Sequence, residues 1–444
     1  MPPPPESERE ALAREMRAAA GQIFRSGLQE ASIQKAFARH VYLERGVLRI
    51  CDDLYDLSAY TRVFVVSIGK AGHTMVEALR AQVGEWGEGI VACSVEPAGQ
   101  LRGFRYFFGG HPTPNPESVR AAEAMLRSLE AMNAASLVMF MLSGGGSSIV
   151  EKPADDEISL DDLIATYRAL VLCGAPIAEI NAVRKHLSAV KGGRLARAAA
   201  PARQISLLIS DVPDSTPDAL ASGPTLPDPT TVADCYSIVQ RYGLLEQFPA
   251  SVRDLFHSHA LEETPKPDDQ AFYRSRWSPL LSNRTAVEAA AAAAMRASFA
   301  VEIDNACDDW DYERAADYLL GRLRQLRQGV SRVCLISGGE VTVKVTEGGV
   351  GGRNQQFALA CATRIAGENI TVLSAGTDGI DGNSSAAGAV ADGTTVQRAG
   401  ACGLHPAAAL ARFNAFPLFH ALGDAIVTGP TGNNLRDLRI LLAY

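Results

Sequence analysis

LVMFMLSGGGSS, residues 137–148, is the stretch that decides the fold. An uninterrupted apolar run of strand length is what a strand covered on both faces requires, and this one stops at a serine, three glycines and two more serines. Four other runs share the design: VFVVSIGKAG (63–72), ISLLISDVPD (205–214), VCLISGGEVT (333–342) and ITVLSAGTDG (370–379). Each reads as a buried strand whose carboxyl end opens into a polar loop. In an open α/β sheet, ligands bind outside the carboxyl ends of the strands, so Ser67, Ser143, Ser210, Ser337 and Ser374 are expected to border a cleft. A small-molecule enzyme is the reading that follows.

Outward from these runs, residues 62–227 alternate strands with helical patterns at 116–132 and 160–172, the grammar of a parallel sheet flanked by helices. Residues 8–45 have helical spacing. Clustered proline and charge break the pattern over 257–283, and an alanine-rich helix follows at 285–296. The second half is expected to start strands at Arg332, Gly339, Asn369 and Asp424, with VTVKV (341–345) alternating as a half-buried strand does, which predicts a mixed sheet. The expected organisation is a disordered lead over 1–15 and a helical lead over 16–56 able to pack on the second domain. An N-terminal domain over 57–256, a connection over 257–283 and a C-terminal domain over 284–444 complete it.

With 444 residues the chain exceeds the size at which one hydrophobic core keeps growing, so two domains are expected. Its apolar runs fall well short of the ~20 residues of a membrane helix, and the proline-rich, acidic start MPPPPESERE has no apolar region of a secretory signal behind it. A net charge of -8 with mixed signs gives no overall basic footprint for nucleic acid. The eight cysteines show no CxxC pairing, which points to reduced structural thiols in a cytoplasm and away from zinc.

Three kinds of chemistry stand at the strand ends. Gly144, Gly145 and Gly146 let backbone amides converge, and Ser143, Ser147 and Ser148 add hydroxyls, a layout suited to phosphate or to a tight turn. The loop lacks the lysine of a Walker A motif, and no GxGxxG with a following acidic residue occurs near it. Positive charge comes from Lys70, directly after a strand, and from NAVRKHLSAVKGGRLA (181–196), where Arg184, Ser188 and Lys191 recur at helical spacing and offer either a clamp for an anion or a solvated face. Acidity comes from Asp211, Asp378 and Asp381, which suit a metal ion, a hydroxyl proton or an Asp turn. His111 and His186 read as structural hydrogen-bonding groups before ligand contacts, and no GxSxG elbow is present.

Taken in order, GKAG, HPTPNPES, LSGGGSS, NAVRKHLSAVKGGRLA, SDVPDSTPDALASGPT, SNRTAVEAA, SGGEVTV, GGRNQQFALA, GTDGIDG and GDAIVTGPTGNNLRDLRILL resemble the glycerate 2-kinase family, whose C-terminal part is called MOFRL. The match is collinear and covers nearly everything after about residue 15. The family also carries the older name hydroxypyruvate reductase. The resemblance implies a Rossmann-like N-terminal parallel sheet with flanking helices, a C-terminal α/β domain with a mixed sheet, and an active site in the interdomain cleft. It implies phosphorylation of the 2-hydroxyl of D-glycerate by ATP with Mg²⁺, in a cytoplasmic monomer or homodimer with no nucleic-acid or membrane partner. The alternatives are an NAD(P)H-dependent hydroxypyruvate reductase and a non-catalytic metabolite-binding regulator.

Residue by residue, the resemblance makes Lys70, Asp211 and Arg353 catalytic. Ser143 to Ser148, Asn181, Arg184, Lys185, Ser188, Lys191 and Gly192 are implied to hold phosphates or the glycerate carboxylate, and Ser337, Gly338, Gly339, Glu340 and Asn354 to line the other wall. Asp378 and Asp381 are the implied metal carboxylates. The chain departs from the family pattern at Gln356, where glutamate is common, at Ser385, where aspartate often stands, and more mildly at Ser148 and Asp214.

Overall fold

The computed structural model describes residues 8–85, 87–346 and 348–444. Its contacts divide the chain into two units, Ile33–Leu280 and Leu281–Tyr444, the latter joined by the chain up to Ser32.

The Ile33–Leu280 unit opens with an antiparallel meander of β1 (Val41–Glu44), β2 (Val47–Ile50) and β3 (Asp53–Asp56). Residues 41–56 were expected to belong to a helical lead, and this is a correction. The chain turns through Arg45 and Gly46, at φ 50° and 81°, the pair of positive φ values that a two-residue hairpin needs. The main sheet comprises β4 (Arg62–Ile68), β5 (Glu88–Cys93), β6 (Phe104–Phe108), β7 (Ser136–Leu142), β8 (Arg203–Ile209) and β9 (Ser275–Leu281) in the order β6-β5-β4-β7-β8-β9. Neighbours from β6 to β8 pair in parallel. This is the doubly wound order, in which the winding reverses between β4 and β7. All seven residues of β7 are buried, which is why its sequence is apolar without alternation.

Helices cover this sheet. Pro116–Glu130 begins with a capping box between Asn115 and Ser118 and carries proline in its first turn. Its Ala121, Ala122, Met125 and Leu129 pack in one core with Val138 and Phe140, and each large buried side chain contributes about 1.5–3 kcal/mol.

The second unit holds β10 (Ala300–Ile303), β11 (Val333–Gly338), β12 (Ile370–Gly376), β13 (Gly388–Asp392), β14 (Ala425–Ile426) and β15 (Asp437–Ala443) in the order β10-β11-β15-β12-β13-β14. Only β10 and β11 pair in parallel; β15 lies antiparallel to both β11 and β12. The sheet is mixed, as expected. One face is covered by the helix Glu8–Glu30, whose Met16, Ala20, Ile23 and Phe24 meet Val287, Ala290 and Ala294 of the helix Asn283–Arg296 and Leu438 and Ile440 of β15. The other face packs Leu319, Leu323 and Phe357 against Leu335 and Leu441.

Two further expectations are corrected. Residues 8–15 of the supposed lead are the first turns of the Glu8–Glu30 helix, held by buried Ala13 and, one turn on, by Arg17 pairing with Asp392; residues 1–7 lie outside the described residues. VTVKV forms no strand: Thr342 makes a single bridge to Asp311, and no neighbouring strand continues the ladder.

Candidate active site

The carboxyl ends of β4 and β7 diverge at the switch point, and their loops are laced together there. The Lys70 amide donates to the Gly144 carbonyl at 2.9 Å, the Ser143 amide donates to the Ile68 carbonyl at 2.9 Å, and the Ala71 amide donates to Ser143 Oγ at 3.1 Å. Glycine is required by what lies on this loop. A Cβ on Gly144 would stand 2.0 Å from Asp211 Oδ2, and one on Gly145, at φ 82°, would stand 3.1 Å from Lys70 Cγ and 3.3 Å from His111 Nδ1. The Asp211 carboxylate and the Lys70 stem therefore rest on adjacent glycines, with the exposed Lys70 placed above them. His111 Nδ1 lies 3.2 Å from Ser148 Oγ, and burial together with the Lys70 charge lowers its pKa.

Not every hydroxyl of the loop faces outward. Ser143 is buried, accepting from Ala71 and lying 3.3 Å from the Ile68 carbonyl; Ser148 is buried against His111; Ser147 lies 2.9 Å from Ser222 Oγ. Gly146 begins the short turn of helix Gly146–Ile149.

The 181–193 segment departs more sharply from expectation. Its helix, Ile177–His186, stops before Ser188, so Arg184, Ser188 and Lys191 do not share one helical face. Ser188 donates to Glu151 Oε1 at 2.6 Å, and Lys191 pairs with Glu151 in a fully buried cluster. Burial lowers the Lys191 pKa to about 8, although Glu151 opposes the shift. Lys185 is also turned inward, 2.7 Å from Asp218 and 3.2 Å from Asp228. Gly192, at φ 54°, closes against Ser222. Asn181 and Arg184 alone of the named side chains are partly exposed. Spacing carries no sign of this, because Glu151 and Asp218 are remote in sequence from the lysines they neutralise.

In the second unit, Ser337 is buried and the SGGE amides are already used: those of Gly338, Gly339 and Glu340 donate to Asn305, Asn283 and Asp308 at 2.7, 2.8 and 3.0 Å. This loop holds its shape with side-chain acceptors and offers no cradle of free amides. Arg353 starts the helix Arg353–Arg364 and forks onto Asp437 at 2.6 and 3.0 Å, with Glu340 at 2.8 Å. Arg436 forks onto Asp308 at 2.7 and 2.6 Å. Burial raises the Glu340 pKa against the pull of Arg353, and Arg353 is held above its ordinary range by those carboxylates despite burial. These groups border a cavity of about 840 Å³ lined by Glu340, Arg353, Gln356, Asp378 and Asp381.

Asp381 is a helix cap. Its Oδ1 accepts from the Asn354 amide at 3.1 Å and its Oδ2 from the Gln355 amide at 2.9 Å, while Asn354 is buried between Asp381 and Ser374. Asp378 Oδ1 accepts from the Ile380 amide at 3.1 Å in an Asp-Gly turn. Gln356, where the family pattern favours glutamate, donates to the Leu410 carbonyl at 2.8 Å, a bond a carboxylate cannot make. Sequence reading missed Asp308, Arg436 and Asp437; a charged triplet abutting an apolar strand, RDLRILL, was the available signal.

A domain of unknown function, DUF4147, matches residues 19–257, and the MOFRL family matches residues 333–437. A D-glycerate 2-kinase of Thermotoga maritima is 34% identical over 85% of this chain and 90% of its own length. An Agrobacterium vitis protein bearing a hydroxypyruvate reductase name is 37% identical over 86% of this chain and 87% of its own. The crystal structure of a glycerate kinase from Thermotoga maritima aligns with a TM-score of 0.84 at 30% identity, covering 97% of this chain and all of that one.

Proposed function

We propose, on the premise that this chain belongs to the glycerate 2-kinase family, that it transfers the γ-phosphoryl group of ATP to the 2-hydroxyl of D-glycerate, giving 2-phosphoglycerate. The observation that carries the reading is the resting of Lys70 and Asp211 on Gly145 and Gly144 at the switch point. Phosphoryl transfer asks the protein for little covalent chemistry and much positioning of charge. Lys70 sets an ammonium group against the charge that develops on the migrating group. Asp211, with an oxygen anchored over Gly144, orients the acceptor hydroxyl and takes its proton. Arg353, braced by Asp437, presents a guanidinium whose second partner, Glu340, is displaceable by phosphoryl oxygens.

Among the described residues no group of three His, Cys, Asp or Glu side chains is gathered as a metal cage. Mg²⁺ needs only one or two carboxylates beside the nucleotide's own oxygens, so this fits a nucleotide-borne ion. Asp378 is the carboxylate this reading assigns to it, since both Asp381 oxygens are taken by the helix amides. When bound, Mg²⁺ supplies charge neutralisation on the β- and γ-phosphate oxygens.

The test is incubation of pure protein with D-glycerate, ATP and Mg²⁺, coupled to enolase with and without phosphoglycerate mutase. Product used directly by enolase supports 2-phosphorylation. Product needing the mutase moves the attack to the 3-hydroxyl, and absence of ATP turnover sinks the kinase reading.

A further inference from the structure

The side chain of His111 has one ring nitrogen that the fold uses and one that it does not. The ring reaches the glycine loop from the segment 109–115, which is pinned at both ends. A Cβ on Gly109 would stand 2.0 Å from the Ile149 carbonyl, so this glycine lies directly against the end of the Gly146–Ile149 turn. The Gly110 amide donates to Ser118 Oγ at 3.0 Å, and Asn115 Nδ2 donates to the Phe108 carbonyl at 3.2 Å. On this fixed segment the imidazole is exposed, and it shares Gly145 with the Lys70 stem.

Nδ1 is the nitrogen in use. It lies 3.2 Å from Ser148 Oγ, which itself lies 3.3 Å from the Gly145 carbonyl. A hydroxyl carries one proton and a carbonyl only accepts, so both contacts are made together when Ser148 donates to Gly145 and His111 Nδ1–H donates to Ser148. A neutral imidazole with its proton on Nδ1 carries a lone pair on Nε2. Burial and the Lys70 charge lower the pKa of the ring and keep it neutral near pH 7. Among the described residues no hydrogen bond meets Nε2. Such a lone pair repels carboxylate and phosphoryl oxygens and takes only a donor. A hydroxy acid offers donors in its hydroxyls, and glycerate has two of them on adjacent carbons. Asp211 stands against Gly144 and His111 against Gly145, so two acceptors meet neighbouring residues of one loop, an arrangement that suits a pair of vicinal hydroxyls.

We propose that His111 is a specificity-determining residue, its Nε2 accepting a hydrogen bond from the 3-hydroxyl of the substrate while Asp211 takes the 2-hydroxyl. The proposal rests on the kinase reading. Its test compares D-glycerate with D-lactate, which keeps the carboxylate and the 2-hydroxyl and lacks the 3-hydroxyl. Steady-state kinetics of the full chain give KM for D-glycerate, and inhibition of that reaction gives Ki for D-lactate whether or not D-lactate is itself phosphorylated. In wild type Ki should exceed KM several-fold. His111→Ala should raise KM for D-glycerate roughly three- to tenfold, the scale of one neutral hydrogen bond, and leave Ki for D-lactate within about twofold. His111→Gln, whose amide oxygen can accept in place of Nε2, should recover part of that loss. KM and Ki do not depend on how much of a variant is folded, so the comparison stands even where a variant is less stable. KM and Ki rising together overturn the proposal, because a ring that only braces Ser148 affects both acids alike. An unchanged KM in His111→Ala, or a wild type that holds the two acids equally, overturns it as well. Wild-type protein that phosphorylates no D-glycerate removes the kinase reading and this proposal with it, whereas intact phosphorylation with a joint loss removes the proposal alone.

Discussion

Lys70 is exposed and makes its fold contacts through its backbone and stem, so Lys70→Ala should leave the melting temperature near wild type while lowering kcat by roughly 10² or more, as steady-state kinetics would show. Arg353→Ala should lower kcat on the same scale and also destabilise the protein by roughly 1–3 kcal/mol, because buried Asp437 loses both guanidinium bonds. Denaturant unfolding beside the kinetics distinguishes the two effects. Burial pushes the Asp381 carboxyl up from 3.8 to about 6, against the amides of Asn354 and Gln355 that favour its charge. A raised native pKa means the folded state holds the proton more tightly, so this contribution is full below the unfolded value of 3.8 and is lost as pH rises through about 6. Melting curves should show the stability gap between wild type and Asp381→Asn changing across that window and level above it. At this scale the placement of Lys70, Asp211 and the triple glycine beyond strand ends was legible, because each closely follows an apolar run. It did not reveal that Ser188 and Lys191 face Glu151, since the end of a helix one turn early reverses a side chain without altering its spacing.

The elements read from sequence were those whose burial is two-sided and whose ends are punctuated by glycine or aspartate: β4, β7, β8, β11 and β12. β15 escaped as a strand start because its apolar run is broken by Asp437 and Arg439, both buried and both used by neighbouring side chains or carbonyls. VTVKV showed the alternation of a strand and still formed none, since alternation without a partner edge leaves the backbone groups unpaired. The Glu8–Glu30 helix was legible as a helix able to pack on the second domain, but the residues it meets there were not, because they lie far along the chain. Phe24, fully buried on that helix, gives the test: Phe24→Ala should cost about 3–5 kcal/mol in chemical denaturation, a core-sized loss that a loosely attached lead would not show.

On the scale of the whole molecule, one unit is continuous and the other is assembled from two distant pieces. Residues 33–280 expressed alone should therefore give a cooperative unfolding transition. Residues 281–444 alone should not, because the sheet face bearing Leu438 and Ile440 would lie bare; restoring the Glu8–Glu30 helix as a separate peptide should recover the transition. The interruption has a consequence in time. The helix is made well before the strands it covers. At about 5–20 residues per second, roughly 400 residues of synthesis separate it from β15, on the order of 20–80 s before the sheet that Met16, Ile23 and Phe24 meet is complete. For that interval the nascent chain carries an apolar stripe whose sheet is unfinished, a natural hold for a chaperone during translation.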